Sequence, residues 1–225
     1  SWHGSPIRTA KDVFEKEFVI GGSGPLGENE TVPRLLNAIA GTKFRIVTGY
    51  PSNAAILVAM ERGEVMGVGD WTWSNIKTRK PDYLRDRKIN LLMQLAMEKE
   101  PELPDVPMAR DYARTPVEQR AIDTLMSLKS VARPMMAPPG TPPERLAALR
   151  AAFSAMAGDT AFLAEAEKAG IEANPTPGEA VDRIAKFIAD TPEDAARLLE
   201  SAIRPPRARI SACLPTRVTP WPRRR

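Results

Sequence analysis

A chain of 225 residues has room for one large domain or two small lobes, and 43% hydrophobic with 27% charged residues is the composition of an ordinary globular protein able to bury a core. No apolar run approaches the roughly 20 residues of a membrane-spanning helix. The net charge of +4 is unevenly placed: residues 204–225 hold seven arginines and no acid, which leaves −3 on residues 1–203, so the body lacks the basic surface that nucleic acid requires.

Cys213 is the only cysteine, so neither an intramolecular disulfide nor a cysteine-based metal site can form. His3 is the only histidine, and a lone histidine near a chain end is more often solvated than catalytic. The acids at 82, 86 and 98–102 have no metal-like spacing. The Arg/Lys group at 77–88 reads as a solvated face. No basic segment followed by an apolar stretch, the mark of a signal peptide, is visible in this chain.

Residues 9–16 read as a short helix with Thr9 as N-cap and Asp12 three residues on. Phe18, Val19 and Ile20 form a short apolar run that ends in Gly21-Gly22, a buried strand, and a polar loop follows over 23–29. Residues 31–39 are predicted helical, because Val32, Leu35, Leu36 and Ile39 recur at i, i+3, i+4, i+7. Pro33 suits the first turn of that helix and Gly41 its end. A second strand is expected over 43–48 and a helix over 53–62, closed by Gly63. A third strand follows over 65–68, and Asp70-Trp71 ends it. A helix over 71–80 stops at Pro81, and the apolar residues 89–97 read as a fourth strand. Strands alternating with helices predict a parallel or mixed sheet covered on both faces.

The proline-rich residues 100–107 suit only a connector. Helix is expected over 116–128, a short strand over 131–137, and a turn over 138–143 that starts a helix in which Leu146, Leu149, Ala152 and Phe153 share a face. Further helices fit 160–169, 177–189 and 192–203. A segment with one strand and many helices usually completes a sheet built elsewhere in the chain. From Arg204 on, arginine and proline without periodicity predict disorder. Such a stretch is either an ordinary tail or shifted-frame product, or a nucleic-acid or membrane tether; arginine without lysine favours the former.

Four motifs, in order, resemble one known family. They are Gly49-Tyr50-Pro51-Ser52 followed by residues 59–65 (Ala-Met-Glu-Arg-Gly-Glu-Val), Leu103-Pro104-Asp105-Val106-Pro107, the Pro-Pro-Gly-Thr-Pro-Pro run of 138–143 with its helix, and Ala169-Gly170-Ile171 with residues 175–179. Together they resemble the receptor proteins of tripartite tricarboxylate transporters, the Bug-type solute-binding proteins. The resemblance covers about residues 5–203. It implies an α/β fold of the type II periplasmic-binding-protein kind, in which two lobes close on a ligand. On that pattern residues 1–107 correspond to the second α/β lobe, 108–203 to the crossover and the C-terminal helical part of the first lobe, and 204–225 to an added disordered tail. The N-terminal part of the family's fold has no counterpart here, so the chain is expected to be a truncated form. The resemblance further implies periplasmic location, a small carboxylated compound as ligand, membrane permease subunits as partners, no nucleic acid and no cofactor.

The candidate binding residues fall at three strand ends. Gly22, Ser23, Gly24 and Gly27 lie in a glycine-rich turn that lets backbone N–H groups approach a carboxylate at a helix start. A flexible strand–helix turn is the other use of the same glycines. The turn lacks the Gly-Lys-Ser/Thr ending of a phosphate loop. Glu28 and Glu30 would repel a carboxylate unless they point to solvent. Tyr50, Pro51, Ser52 and Asn53 form a second strand–helix junction, where Ser52 or Asn53 caps the helix and leaves other N–H groups available. Asp70 and Trp71 line a cleft or, for the aromatic ring, pack in the core. Neither a Ser/His/Asp nor a Cys/His constellation is evident. This favours recognition over catalysis, with an α/β enzyme or the effector-binding domain of a regulator as alternatives.

Overall fold

The computed structural model of the chain describes residues 1–131, 134–169, 171, 173 and 175–204. Its centre is strand β1 (Phe18–Gly22), whose residues are all buried. Strand β2 (Phe44–Thr48) lies parallel on one side, with Phe18 beside Phe44 and Gly22 beside Thr48. Strand β3 (Gly67–Val68) lies parallel on the other, with Ile20 beside Gly67. The order is therefore β2-β1-β3.

Helix α2 (Glu28–Ala40) connects β1 to β2, and α3 (Asn53–Glu61) connects β2 to β3. The two crossovers run in opposite directions across β1, so their helices pack on opposite faces of it. Gly21 and Gly22 make this double packing possible. A Cβ on Gly21 would lie 2.6 Å from Ile56 Cγ2 of α3, and one on Gly22 would lie 2.6 Å from the carboxyl carbon of Glu30 on α2. Two helices thus approach the last turn of one strand so closely that no side chain fits between.

The expected sheet is covered on both faces only at β1. At the β2 edge Arg45, Val47 and Thr48 stay exposed, because α3 sits over β1 and β3.

Three clusters make the core. Phe18 and Ile20 of β1 pack with Ile7 and with Val13 of helix α1 (Asp12–Glu15). Val19 packs with Ile56, Leu57 and Met60 of α3 and with Tyr83 of helix α5 (Pro81–Arg85). The third cluster joins Val32, Leu35, Leu36 and Ile39 of α2 to Ala121, Ile122, Leu125 and Met126 of helix α6 (Pro116–Ser130) and Leu199 of helix α10 (Glu193–Ile203). The packing of α6 and α10 on α2 carries one core across residues 107 and 108.

Helices α7 (Pro143–Ala157) and α9 (Gly178–Ala189) contain no buried residue, and α8 (Thr160–Lys168) only Ala166. Helix α9 leans on α6, where the Arg120 guanidinium lies 3.5 Å from the Phe187 ring centre and donates to Phe187 O at 2.6 Å. No single helix among the described residues is long and apolar enough to cross a membrane.

Several expectations need correction. Residues 89–97 form no ladder strand: Ile89 makes a single antiparallel bridge to Trp2 and Gln94 a single parallel bridge to Met108. The Gln94 side chain explains the interruption. It donates to Leu103 O and Val106 O and accepts from Glu100 N, so this stretch pins the proline-rich connector. Its apolar side chains pack without pairing their backbone in a sheet.

Helix α2 begins at Glu28, three residues before its predicted start, which places Pro33 inside the helix rather than in its first turn. The missing Pro33 N–H leaves Asn29 O without its helical donor. Gly69 passes at that point, where a Cβ would come within 2.7 Å of Asn29 O.

Only Asp12–Glu15 is helical near the start of the chain. The Asp12 carboxylate accepts from the backbone of Arg8 and Thr9 and from Thr9 Oγ1, so Asp12 holds the turn and Thr9 is the donor, not the cap. The third strand shortens to Gly67–Val68, and α4 covers Trp73–Arg79. Residues 131 and 134–137 are not strand, because α6 runs on to Ser130; residues 132 and 133 of that predicted strand, and the tail over 205–225 with Cys213, lie outside the described residues.

Candidate functional site at the strand ends

All three strands are parallel, so their C-terminal ends open on one edge of the sheet, where loops that follow crossovers in opposite directions leave a crevice. The crevice encloses about 270 Å³. Ser23, Glu28 and Asn29 line it from the β1–α2 junction, Asn53 from the start of α3, and Asp70, Trp71, Thr72 and Asn75 from the segment after β3.

Asn29 organises the site. Its Nδ2 donates to Asn53 Oδ1 at 2.7 Å and to Ser23 Oγ at 3.0 Å, and its Oδ1 accepts from Ser23 N at 3.2 Å. The first turns of α2 and α3 are thereby tied together. The α2 N-cap is Gly27, which has no side chain to satisfy the helix start, and among the described residues the N–H groups of Glu28 and Asn29 have no acceptor. In α3 the Ser52 hydroxyl accepts from Ala55 N at 3.3 Å, and the N–H groups of Asn53 and Ala54 have no acceptor among the described residues. Both helix starts keep the partial positive charge that attracts anions.

The glycine-rich turn is used differently from the expectation. Glu30 is fully buried; its Oε1 accepts from Gly24 N at 2.9 Å, and its other oxygen pairs with Arg34. The turn therefore already holds an internal carboxylate, neutralised by an internal guanidinium. Glu30 points inward rather than to solvent and, being paired, adds no net charge to the crevice.

Glu28 remains half exposed on the lining. Its carboxyl is held above the usual range, first by desolvation, then by its hydrogen bond with the Asp70 side chain, while Lys129 opposes the shift. Lys129 reaches in from the last turn of α6. Its Nζ lies 2.8 Å from Asp70 Oδ1 and 3.8 Å from Glu28 Oε2.

Of the residues singled out in the sequence, Ser23, Asn53, Asp70 and Trp71 come together on the crevice. Gly22 lies behind it at the end of β1, where its carbonyl accepts from Tyr50 N at 3.1 Å; Gly24 is committed to Glu30, and Gly27 caps α2. Tyr50 packs against the α3 cluster, Pro51 is exposed before the cap, and Ser52 is the cap. Trp71 lines the crevice and meets Tyr83 edge-on, with ring centres 6.1 Å apart.

Asn29, Thr72, Asn75 and Lys129 were missed. Asn29 sits one residue beyond the acid that follows the glycine-rich turn, where a polar residue at a helix start is a legible signal. Lys129 lies 59 positions from its partner Asp70, and nothing local marks it.

A larger groove of about 520 Å³ runs between α7 and α9, lined by Leu146, Ala147 and Ala151, with Arg150 paired to Glu179 and Asp182. Among the described residues it presents no unpaired charge, and it lies on helices without buried residues. Among the described residues no three His, Cys, Asp or Glu side chains are grouped to hold a metal.

No family model matches the chain, and no curated protein matches it. Two solved structures do. Rpa4515 of R. palustris, in a structure with adipate, matches with a TM-score of 0.53 at 17% identity over 90% of this chain and 63% of that one. A TctC solute-binding protein from Polaromonas, without ligand, matches with a TM-score of 0.57 at 16% identity over 89% of this chain and 62% of that one. The chain thus has the mixed helix and parallel-sheet fold of solute-binding proteins of the TctC kind. It spans a little over three-fifths of the length of the structures it matches.

Proposed function

We propose that the chain is a solute-binding receptor of the tripartite tricarboxylate transporter kind, which holds a small carboxylated compound at the strand ends and presents it to permease subunits in the periplasm. The observation that carries this reading is the Asn29–Asn53 bond, which sets two helix starts with available N–H groups beside one crevice. Backbone donors and two helix dipoles suit a carboxylate without any nucleophile or metal. A neighbour of the same fold was solved with adipate, which supports a carboxylate guest.

On this reading Ser23, Asn29, Asn53 and the first N–H groups of α2 and α3 receive the carboxylate. Trp71 lines the wall beside the guest, Tyr50, Pro51 and Ser52 shape the second junction, and Gly22, Gly24 and Gly27 shape the first. Residues 1–107 act as the ligand-bearing lobe, and 108–203 as crossover and packing helices that belong in part to the opposing lobe.

The test is titration of the isotopically labelled chain with adipate and succinate, followed by amide NMR. Shifts should concentrate at Ser23, Glu28, Asn29, Asn53 and Ala54. Asn53→Ala should weaken binding by roughly tenfold, the cost of one hydrogen bond to a charged group. Absence of any shift at those residues with every carboxylate would refute the reading.

A further inference from the structure

The side of the crevice formed by the segment after β3, with Glu28 beside it, carries a charge pattern that the receptor reading does not explain. Asp70 is 11% exposed and Lys129 19% exposed, so both belong to the interior of the wall rather than to a solvated rim. Their 2.8 Å contact satisfies both. Glu28 stands 3.8 Å from the same ammonium. Two carboxylates therefore share one cation. Glu30 and Arg34 behind the turn cancel each other and leave that count unchanged.

We propose that Asp70, Glu28 and Lys129 make this crevice select ligands that carry one carboxylate and, at the other end, an ammonium or neutral hydrogen-bond donor, and that they turn away plain dicarboxylates. The inference rests on the receptor reading for the placement of the first carboxylate. The selection acts on the second end of the ligand. A carboxylate brought to the Asp70 wall either meets an excess negative charge or takes Lys129 from Asp70, and the latter strands a mostly buried aspartate without a counter-charge. An ammonium, hydroxyl or amide donor meets the half-exposed carboxylate of Glu28 and leaves the Asp70–Lys129 pair intact. The polar lining supplied by Thr72 and Asn75 beside this wall suits such a donor better than an alkyl end.

Two matched ligand pairs test the proposal, adipate against 6-aminohexanoate and succinate against 4-aminobutanoate, titrated into the labelled full chain and read by NMR at Asn29, Asn53 and Asp70. In at least one pair the amino compound should bind tighter by roughly tenfold, the scale of one close charge interaction in a partly solvated site. Asp70→Asn should bring the diacid level with or ahead of its partner, and Lys129→Met should widen the gap in favour of the amino compound. Glu28→Gln, on an exposed position where folding is not at stake, should shift the preference the same way as Asp70→Asn. Equal or tighter binding of both diacids by the unmodified chain overturns the proposal and leaves the receptor reading standing. A preference for the amino compound that survives both Asp70→Asn and Glu28→Gln also overturns it. No response at Asn29 and Asn53 to any of the four compounds removes the receptor reading and this inference with it.

Discussion

Single residues decide how β1 can be used. Gly21 and Gly22 admit helices on opposite faces of one strand end, and a methyl group on either would overlap Ile56 or Glu30. Gly21→Ala should cost roughly 1–3 kcal/mol, as expected for overpacking in a filled core, measured by urea denaturation at unchanged m-value. Glu28 sets a pH dependence whose sign follows from its raised carboxyl pKa. In the folded chain the ionised form is the disfavoured one, so this carboxyl lowers stability above its folded pKa and has no effect below its unfolded pKa. Glu28→Gln should therefore raise the melting temperature at pH 7 by about a degree, since half exposure screens the effect. The gain should vanish on acidification through the carboxylate range. A constant gain at every pH would show that shape rather than charge is responsible.

Among the elements, those legible in the sequence have their signals within a few residues. The apolar spacing of α2 from Val32 to Ile39 and the Ser52 cap of α3 are local patterns, and each helix forms close to its expected place; the Thr115–Glu118 capping box of α6 is equally local but was passed over. The fourth strand failed because an apolar run marks burial and not pairing: Leu92, Met93 and Leu95 pack while the Gln94 side chain occupies the neighbouring backbone. Pro33 misled because a proline fits the first turn best but does not by itself fix where a helix starts: α2 begins at Glu28 and carries it inside. At the crevice, the two strand–helix junctions were readable as turns, but not that the first would hold the Glu30 carboxylate, and Lys129 depends on how α6 comes to lie beside Asp70, which no local pattern records. The α6 cap is a direct check on helix stability. Thr115 Oγ1 accepts from Glu118 N at 3.2 Å, and Glu118 Oε2 accepts from Thr115 N at 3.2 Å. Thr115→Ala should cost about 1 kcal/mol in chemical denaturation. A change near zero would mean that packing on α2 and α10 alone fixes the helix.

Across the whole molecule, burial is graded. The sheet, α2, α6 and α10 share the core, while α7 and α9 bury no residue at all. Amide exchange should follow that gradient, with β1 and α2 opening only on global unfolding and α7 to α9 exchanging through low-energy local opening. Equal protection of α7 and β1 would contradict it. Helices α6 and α10, which follow residue 107, join the portion before it through α2.

The paired glycines at the end of β1 carry a thermodynamic consequence. Behind the crevice at that point is main chain alone, packed between Ile56 on one side and Glu30 on the other, so the helix starts that border the crevice rest on a backing without a rotatable side chain. On that backing the Asn29–Asn53 amide contact has already brought the two helix starts into register. Preorganisation of this sort removes part of the ordering entropy that binding otherwise costs. Differences between guests should then be written mainly in the enthalpy of the contacts they make with the crevice walls.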